Sequence, residues 1–227
     1  ELHTGRELAR SNLGNGVSMG IHESQSRFYE NIIGRSRAFC SVIYPWLKEH
    51  FAPRLDGVTE DDFYRMINKS EPSLIRTEAD ELTYCLHIMV RYELEKRMFD
   101  GTLTARDLPG EWNRLYKEYL GVDVPNDRQG VLQDSHWANG NIGYFPSYAI
   151  GSAYGAQYLK EMSKDLDVDA VVRSGDLTPI NNWLEEKIWK YGCMKDPVAL
   201  FESVCGKFDP DCYVAYLEKK FTEVYGL

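Results

Sequence analysis

Gly20-Ile21-His22-Glu23-Ser24-Gln25-Ser26-Arg27-Phe28-Tyr29-Glu30-Asn31 opens a long helical pattern. Apolar residues follow at Phe28, Ile32, Phe39, Ile43 and Trp46, in steps of four, seven, four and three, which mark one face of an α-helix. The spacing predicts a single helix from about His22 to Glu49, with the His-Glu pair in its first turn. Ser24, Arg27 and Asn31 fall on other faces. Glu23 and Arg27 are four apart and can meet. A carboxylate near a helix N-terminus is kept ionised by the helix dipole, and an ionised, oriented carboxylate can serve as a metal ligand. The residues alone leave two readings open, a metal ligand or a first-turn acid paired with Arg27, because ion-pair networks imitate sites.

Outward from this stretch the chain keeps reading as helix. Gly14-Asn15-Gly16 is a turn before it, and Pro53 with Asp56-Gly57 ends the region after it. Thr59 is an N-cap for a short helix carrying Phe63, Met66 and Ile67. Pro72 breaks that helix and leaves 73–77 extended. Ala79 to Phe99 reads as a second long helix with Leu82, Cys85, Leu86 and Met89 on one face, stopped by Asp100-Gly101. Asp107-Leu108-Pro109-Gly110 introduces a helix holding Trp112, Leu115, Tyr116 and Tyr119. Residues 131–144 mix glycine, asparagine and aromatics without period, as an ordered irregular segment does. Pro146 starts a helix to about Met162, whose Gly151, Ala153, Gly155 and Ala156 permit close backbone approach. Thr178-Pro179 caps a helix running to Tyr191, and Asp196-Pro197 and Asp209-Pro210 repeat the device. The fold class is mainly α, with few short strands at most and no internal repeat or linker.

The net charge is −9 and no Lys/Arg block reverses it locally, which argues against a nucleic-acid partner. No apolar run reaches membrane length. Fifteen tyrosines, five tryptophans and nine phenylalanines call for large amphipathic surfaces in helix packing or a pocket. The five cysteines form no CxxC pair, which fits reduced thiols and a cytoplasmic protein. The chain opens at Glu1 without a methionine and reads as a piece of something longer.

Three clusters could carry chemistry. The first is His22-Glu23. The second is Ile75-Arg76-Thr77-Glu78-Ala79-Asp80, where the Arg76 guanidinium could hold a carboxylate bidentately or pair structurally with Glu78, Asp80 or a distant acid. The third is Gly130-Val131-Leu132-Gln133-Asp134-Ser135-His136-Trp137, running into Gly143-Tyr144-Phe145-Pro146-Ser147-Tyr148. Such a loop suits a pocket wall. Asp134 either orients His136 or makes a turn. His136 and the Tyr144 hydroxyl could donate to a substrate carbonyl; equally, the loop could plug a helical bundle. His87 and Arg91 share a helix face and read as a solvated or ion-paired edge. Cys40 and Cys85 lack a base that sequence can show.

Taken in order, the three strings resemble the carboxypeptidase Taq family of zinc metallocarboxypeptidases, and the resemblance runs through essentially the whole chain. It implies a largely α architecture lining a deep cleft, a zinc cofactor, peptide substrates with a free C-terminus, and a homodimer. It also implies that Glu23 is the third zinc ligand, that Arg76 anchors the substrate's terminal carboxylate, and that His136 and Tyr144 line the cleft beside the scissile carbonyl. In that family two further ligands come from an HExxH helix. No two of His3, His22, His50, His87 and His136 are four apart, so the chain has no HExxH. The expectation is that residues 1–227 form the C-terminal portion of a single catalytic domain, inactive alone, with the HExxH part upstream. The competing reading is a non-catalytic helical module that binds peptide carboxylates.

Overall fold

The computed structural model describes residues 3–227, which contain helices and turns and no strand. The chain divides into two compact units, one made of residues 1–68 and 150–227, the other of residues 69–149.

In the first unit, Ser18 caps α1 (Met19–Arg27) by accepting from the Ile21 amide. His22-Glu23 therefore sits at the fourth and fifth helical positions, past the first turn. The predicted single helix does not form. A π-helical turn spans Phe28–Ile33, closed by the Gly34 amide donating to the Tyr29 carbonyl at 2.8 Å. A Cβ on Gly34 would stand 2.9 Å from the Glu30 carbonyl oxygen, so only glycine fits that tight exit. Ser36 then caps a new helix, α2 (Arg37–His50). The wide turn and fresh start shift the register. Phe28 and Ile32 stay buried, but Trp46 is exposed and Ala38, Cys40 and Tyr44 take the inner face.

α3 (Glu60–Ile67) begins with a full capping box between Thr59 and Asp62, as its sequence implies. α6 (Pro146–Met162), α7 (Val168–Ser174), α8 (Thr178–Lys187), α9 (Pro197–Cys205) and α10 (Asp211–Tyr225) follow. Asp196 caps α9, while Asp176 rather than Thr178 precedes α8 as its cap-like acceptor. The core joins Phe28, Ile32 and Ile33 to Tyr158, Met162, Ile180, Leu184, Leu200 and Phe201. Each such side chain contributes about 1.5–3 kcal/mol by leaving water.

The second unit holds a short 3-10 turn (Arg76–Glu78), α4 (Tyr84–Phe99), α5 (Leu108–Leu120) and the start of α6. α4 starts five residues later than its pattern suggests, because Asp80 folds the preceding residues into a turn. Its carboxylate accepts from the amides of Leu82 and Thr83, the Thr83 hydroxyl, the Ser70 hydroxyl and the Glu71 amide. The buried face of α4 also differs from the expected one. Leu82 and Met89 are exposed, whereas His87, Arg91 and Glu95 are buried among Ile88, Val90 and Leu94. α5 follows its pattern, with Trp112, Leu115 and Tyr116 inside and Gly121 closing it in the left-handed region at φ 70°. No described helix is long and apolar enough to cross a membrane.

Candidate active-site residues

Glu23 lies in the first unit, pressed against α6. A Cβ added to Gly151 would stand 2.6 Å from the Glu23 carbonyl carbon and 2.7 Å from its Cβ. The small-residue stripe of α6 thus permits close approach at the residue after His22. The Ser26 hydroxyl donates to Glu23 Oε2 at 2.7 Å and to the Glu23 carbonyl at 3.0 Å. Arg27 Nη1 donates to Glu30 at 2.6 Å. The His22 ring packs on the backbone of Gly16, and His22 and Gln25 line a cavity of about 300 Å³. Gln25 is held in turn by the Trp189 indole, which donates to its Oε1 at 2.9 Å.

The other three expected residues belong to the 69–149 unit, which brings Arg76 and His136 close to Asp134 and packs Tyr144 against His136. Arg76 is 5% exposed; its Nε and Nη2 donate to Asp134 Oδ1 at 3.0 and 2.6 Å, and its Nη1 donates to the Tyr84 hydroxyl at 2.7 Å. The carboxylate gripped bidentately by Arg76 in this structure is therefore the protein's own distant acid. On the other side, Arg91 has no exposed surface, and its Nε and Nη2 meet Asp134 Oδ2 at 2.7 and 2.6 Å. Both arginines therefore share a single carboxylate, Arg91 on Oδ2 and Arg76 chiefly on Oδ1, with its Nε also 3.3 Å from Oδ2. Gln133 completes the clasp. Its Oε1 accepts from the Arg76 amide and Arg91 Nη2, both at 2.9 Å, and its Nε2 donates to the carbonyls of Leu74 and Gln129.

Charge follows from this packing. Burial would raise the Asp134 pKa, but the hydrogen bonds from Arg76 and the charge of Arg91 outweigh it and hold the carboxyl below its ordinary value. Burial would lower the Arg76 pKa, and its bond to Asp134 reverses that. The two guanidiniums around Asp134 set up a positive field, opposed by Asp134 itself and by Glu95. His136 feels it: burial first, then the Arg76 cation, lowers its pKa and favours the neutral imidazole.

Asp134 Oδ1 lies 3.9 Å from His136 Nδ1, too far for a hydrogen bond, because both oxygens face the arginines. His136 instead has Nε2 3.0 Å from the Tyr148 hydroxyl and stacks at 4.3 Å on Phe145. The Tyr144 ring sits 5.5 Å from the His136 ring and 5.2 Å from that of Tyr148. The irregular segment is tied to α4 by Glu95, which accepts from the Trp137 indole and the Gly143 amide.

Arg91 and Glu95 lie outside the three strings picked from the sequence, and Gln133 and Tyr148 lie in the third string without an assigned role. Of the two readings of His87 and Arg91, the solvated one fails, because both are fully buried, and the ion-paired one holds for Arg91, which meets Asp134. The signal was present: His87, Arg91 and Glu95 recur every fourth residue between Ile88, Val90 and Leu94, a polar stripe inside an apolar helix. Cys40 is no nucleophile, since burial pushes its thiol up to about 11.

A metal ion finds no complete set of donors. Among the described residues no group of three His, Cys, Asp or Glu side chains could hold one. Zinc takes three or four protein donors, and Glu23 is one carboxylate. The described residues do not by themselves fit a zinc ion.

Comparison with known proteins supplies a frame for these residues. The family profile described as "Carboxypeptidase Taq (M32) metallopeptidase" matches residues 1–221. The chain is 44% identical to carboxypeptidase 1 of Bacillus subtilis, over 99% of this chain and 45% of that protein. It is 41% identical to thermostable carboxypeptidase 1 of Pyrococcus furiosus, over 97% of this chain and 44% of that protein. The crystal structure of the M32 carboxypeptidase from Deinococcus radiodurans superposes with a TM-score of 0.95 at 39% identity, over 99% of this chain and 46% of that one. The chain thus spans less than half the length of the curated relatives it matches.

Proposed function

The chain belongs to the carboxypeptidase Taq (M32) metallopeptidase family, and from that premise we propose that the protein it comes from removes C-terminal amino acids from peptides. The match over residues 1–221 carries this reading. The geometry adds a chemical reason. The paired guanidiniums of Arg76 and Arg91 suit a substrate that ends in a carboxylate. Arg76 is the anchor in this proposal. Asp134 already occupies its Nε and Nη2, so the terminal carboxylate reaches Arg76 from the Nη1 side, where it competes with the Tyr84 hydroxyl. His136 and Tyr144 line the place where the scissile carbonyl lies.

Zinc is the proposed ion and Glu23 one of its ligands, the remaining donors lying in parts of the protein beyond this chain. Residues 1–227 alone are then inactive, the C-terminal portion of a single catalytic domain. A cytoplasmic homodimer completes the proposal, in keeping with five free cysteines.

The test uses the full-length protein and a matched pair of peptides, one with a free C-terminus and one amidated. Release of the last residue from the free acid alone is the expected result. Equal cleavage of both would overturn the carboxylate-anchored reading.

A further inference from the structure

In the unit of residues 69–149, the His136 ring has close neighbours on three sides. Phe145 stacks against one face at 4.3 Å. Nδ1 points toward Asp134 Oδ1 at 3.9 Å, and Nε2 meets the Tyr148 hydroxyl at 3.0 Å. Tyr148 is itself anchored, with the Arg76 guanidinium 4.9 Å from its ring centroid and the Tyr84 ring edge-on at 6.2 Å. Its place in the chain is rigid, two residues into α6 after Pro146.

The charges select a tautomer. The Asp134 carboxylate accepts hydrogen bonds and cannot donate them, and it is committed to Arg76 and Arg91. A hydrogen on Nδ1 faces that negative oxygen favourably, whereas a lone pair there would face it unfavourably. Nε2 is then the acceptor, and the Tyr148 O–H is the donor. We propose that Tyr148 is a positioning residue for His136, fixing both the orientation of the imidazole and the nitrogen that carries its hydrogen. The Tyr144 ring packs against the His136 ring at 5.5 Å and 47°. The assignment rests on the reading that His136 lines the place where the peptide is cut. Neither His136 nor Tyr148 is fully buried, so the pair borders the surface that a substrate can reach and is more than a core contact.

The experiment uses the full-length enzyme with an N-blocked dipeptide bearing a free C-terminal carboxylate. Kinetics are measured for wild type, Tyr148→Phe, His136→Ala and the double variant. Tyr148→Phe is expected to lower kcat by roughly 10- to 100-fold through misplacement of the ring, with KM nearly unchanged. In the His136→Ala background the same substitution is expected to add little. If Tyr148→Phe stays at wild-type kcat while His136→Ala loses activity, the positioning role is overturned and the reading of His136 survives. If His136→Ala itself keeps wild-type activity, the reading of the site falls. If Tyr148→Phe costs the same factor in both backgrounds, Tyr148 acts independently of His136 and the proposal is overturned. A second measurement needs no variant. The ¹⁵N shifts of the labelled wild-type imidazole should report the His136 hydrogen on Nδ1, and a hydrogen on Nε2 would contradict the assignment.

Discussion

Gly151 and Glu23 share a contact that leaves no room for a side chain on the glycine. A Cβ at position 151 would stand 2.6 Å from the carbonyl carbon of Glu23 and 2.7 Å from its Cβ. Substitution Gly151→Ala should therefore move α1 away from α6 and destabilise the protein by about 1–3 kcal/mol, the cost of overpacking. Gly110, exposed in the first turn of α5, has nothing within 4 Å of the same construction. There Gly→Ala should gain about 0.4–1 kcal/mol, since the alanine loses less chain entropy on folding. Unfolding midpoints of the two variants in the full-length protein check the opposite signs.

Asp134 is the hub of the buried cluster. Replacing it with alanine leaves two nearly inaccessible guanidiniums without their counter-charge. Loss of one partner from a buried ion pair costs about 3–5 kcal/mol, and Asp134→Ala should fall in that range. Asp123, 85% exposed and paired with Lys117, supplies the contrast. Asp123→Ala should change stability by about 0–1 kcal/mol, as exposed pairs do. Denaturant titration of both variants makes the comparison, and equal losses would contradict it.

His87 predicts an acid-labile interior. Burial first, then the cations of Arg91 and Arg76, depresses its pKa to about 4 from the ordinary 6.5. Between those values the unfolded chain binds the proton and the folded chain does not. The stability from neutral His87 is therefore complete above about pH 6.5 and drains away as pH falls towards 4. The Asp134 carboxyl, held below its usual range, adds a loss of the same sign at still lower pH. His87→Gln should flatten the pH dependence of stability between pH 6.5 and 4, by on the order of 3 kcal/mol at most. Unfolding measured across that interval for both proteins is the check, and identical slopes would contradict it.

Local signals in the sequence held at several helix ends and failed at two, since Thr178 lies inside α8 and Asp209 stands one residue before the cap of α10. Thr59 with Asp62 caps α3, Pro146 opens α6, Asp196 with Pro197 opens α9, and Gly121 ends α5. The 131–144 segment is irregular as its composition implies. Periodicity failed where the backbone departs from an α-helical repeat. The π turn at Phe28–Ile33 and the restart at Ser36 displaced Trp46 from the core face, and nothing in the apolar spacing announces an extra residue in a turn.

The site was legible as motifs and illegible as contacts. Arg76, Asp134 and His136 were singled out from short strings, yet the bond between Arg76 and Asp134 closes a gap of 58 residues. Burial of His87, Arg91 and Glu95 is set by partners on distant segments, chiefly Tyr116, Asp134, Trp137 and Gly143. A hydrophobicity pattern assigns such residues to the surface, because it cannot see what satisfies them.

Glu23, proposed as one ligand of a metal site completed by residues outside this chain, should be needed for the full-length protein to keep its ion. Metal content after exhaustive dialysis of the full-length protein tests it most directly, comparing wild type with Glu23→Gln. Retained zinc in wild type, and loss of it in the variant with helical content unchanged, is the expected outcome. Equal zinc in both, with equal rates of peptide hydrolysis, would contradict it.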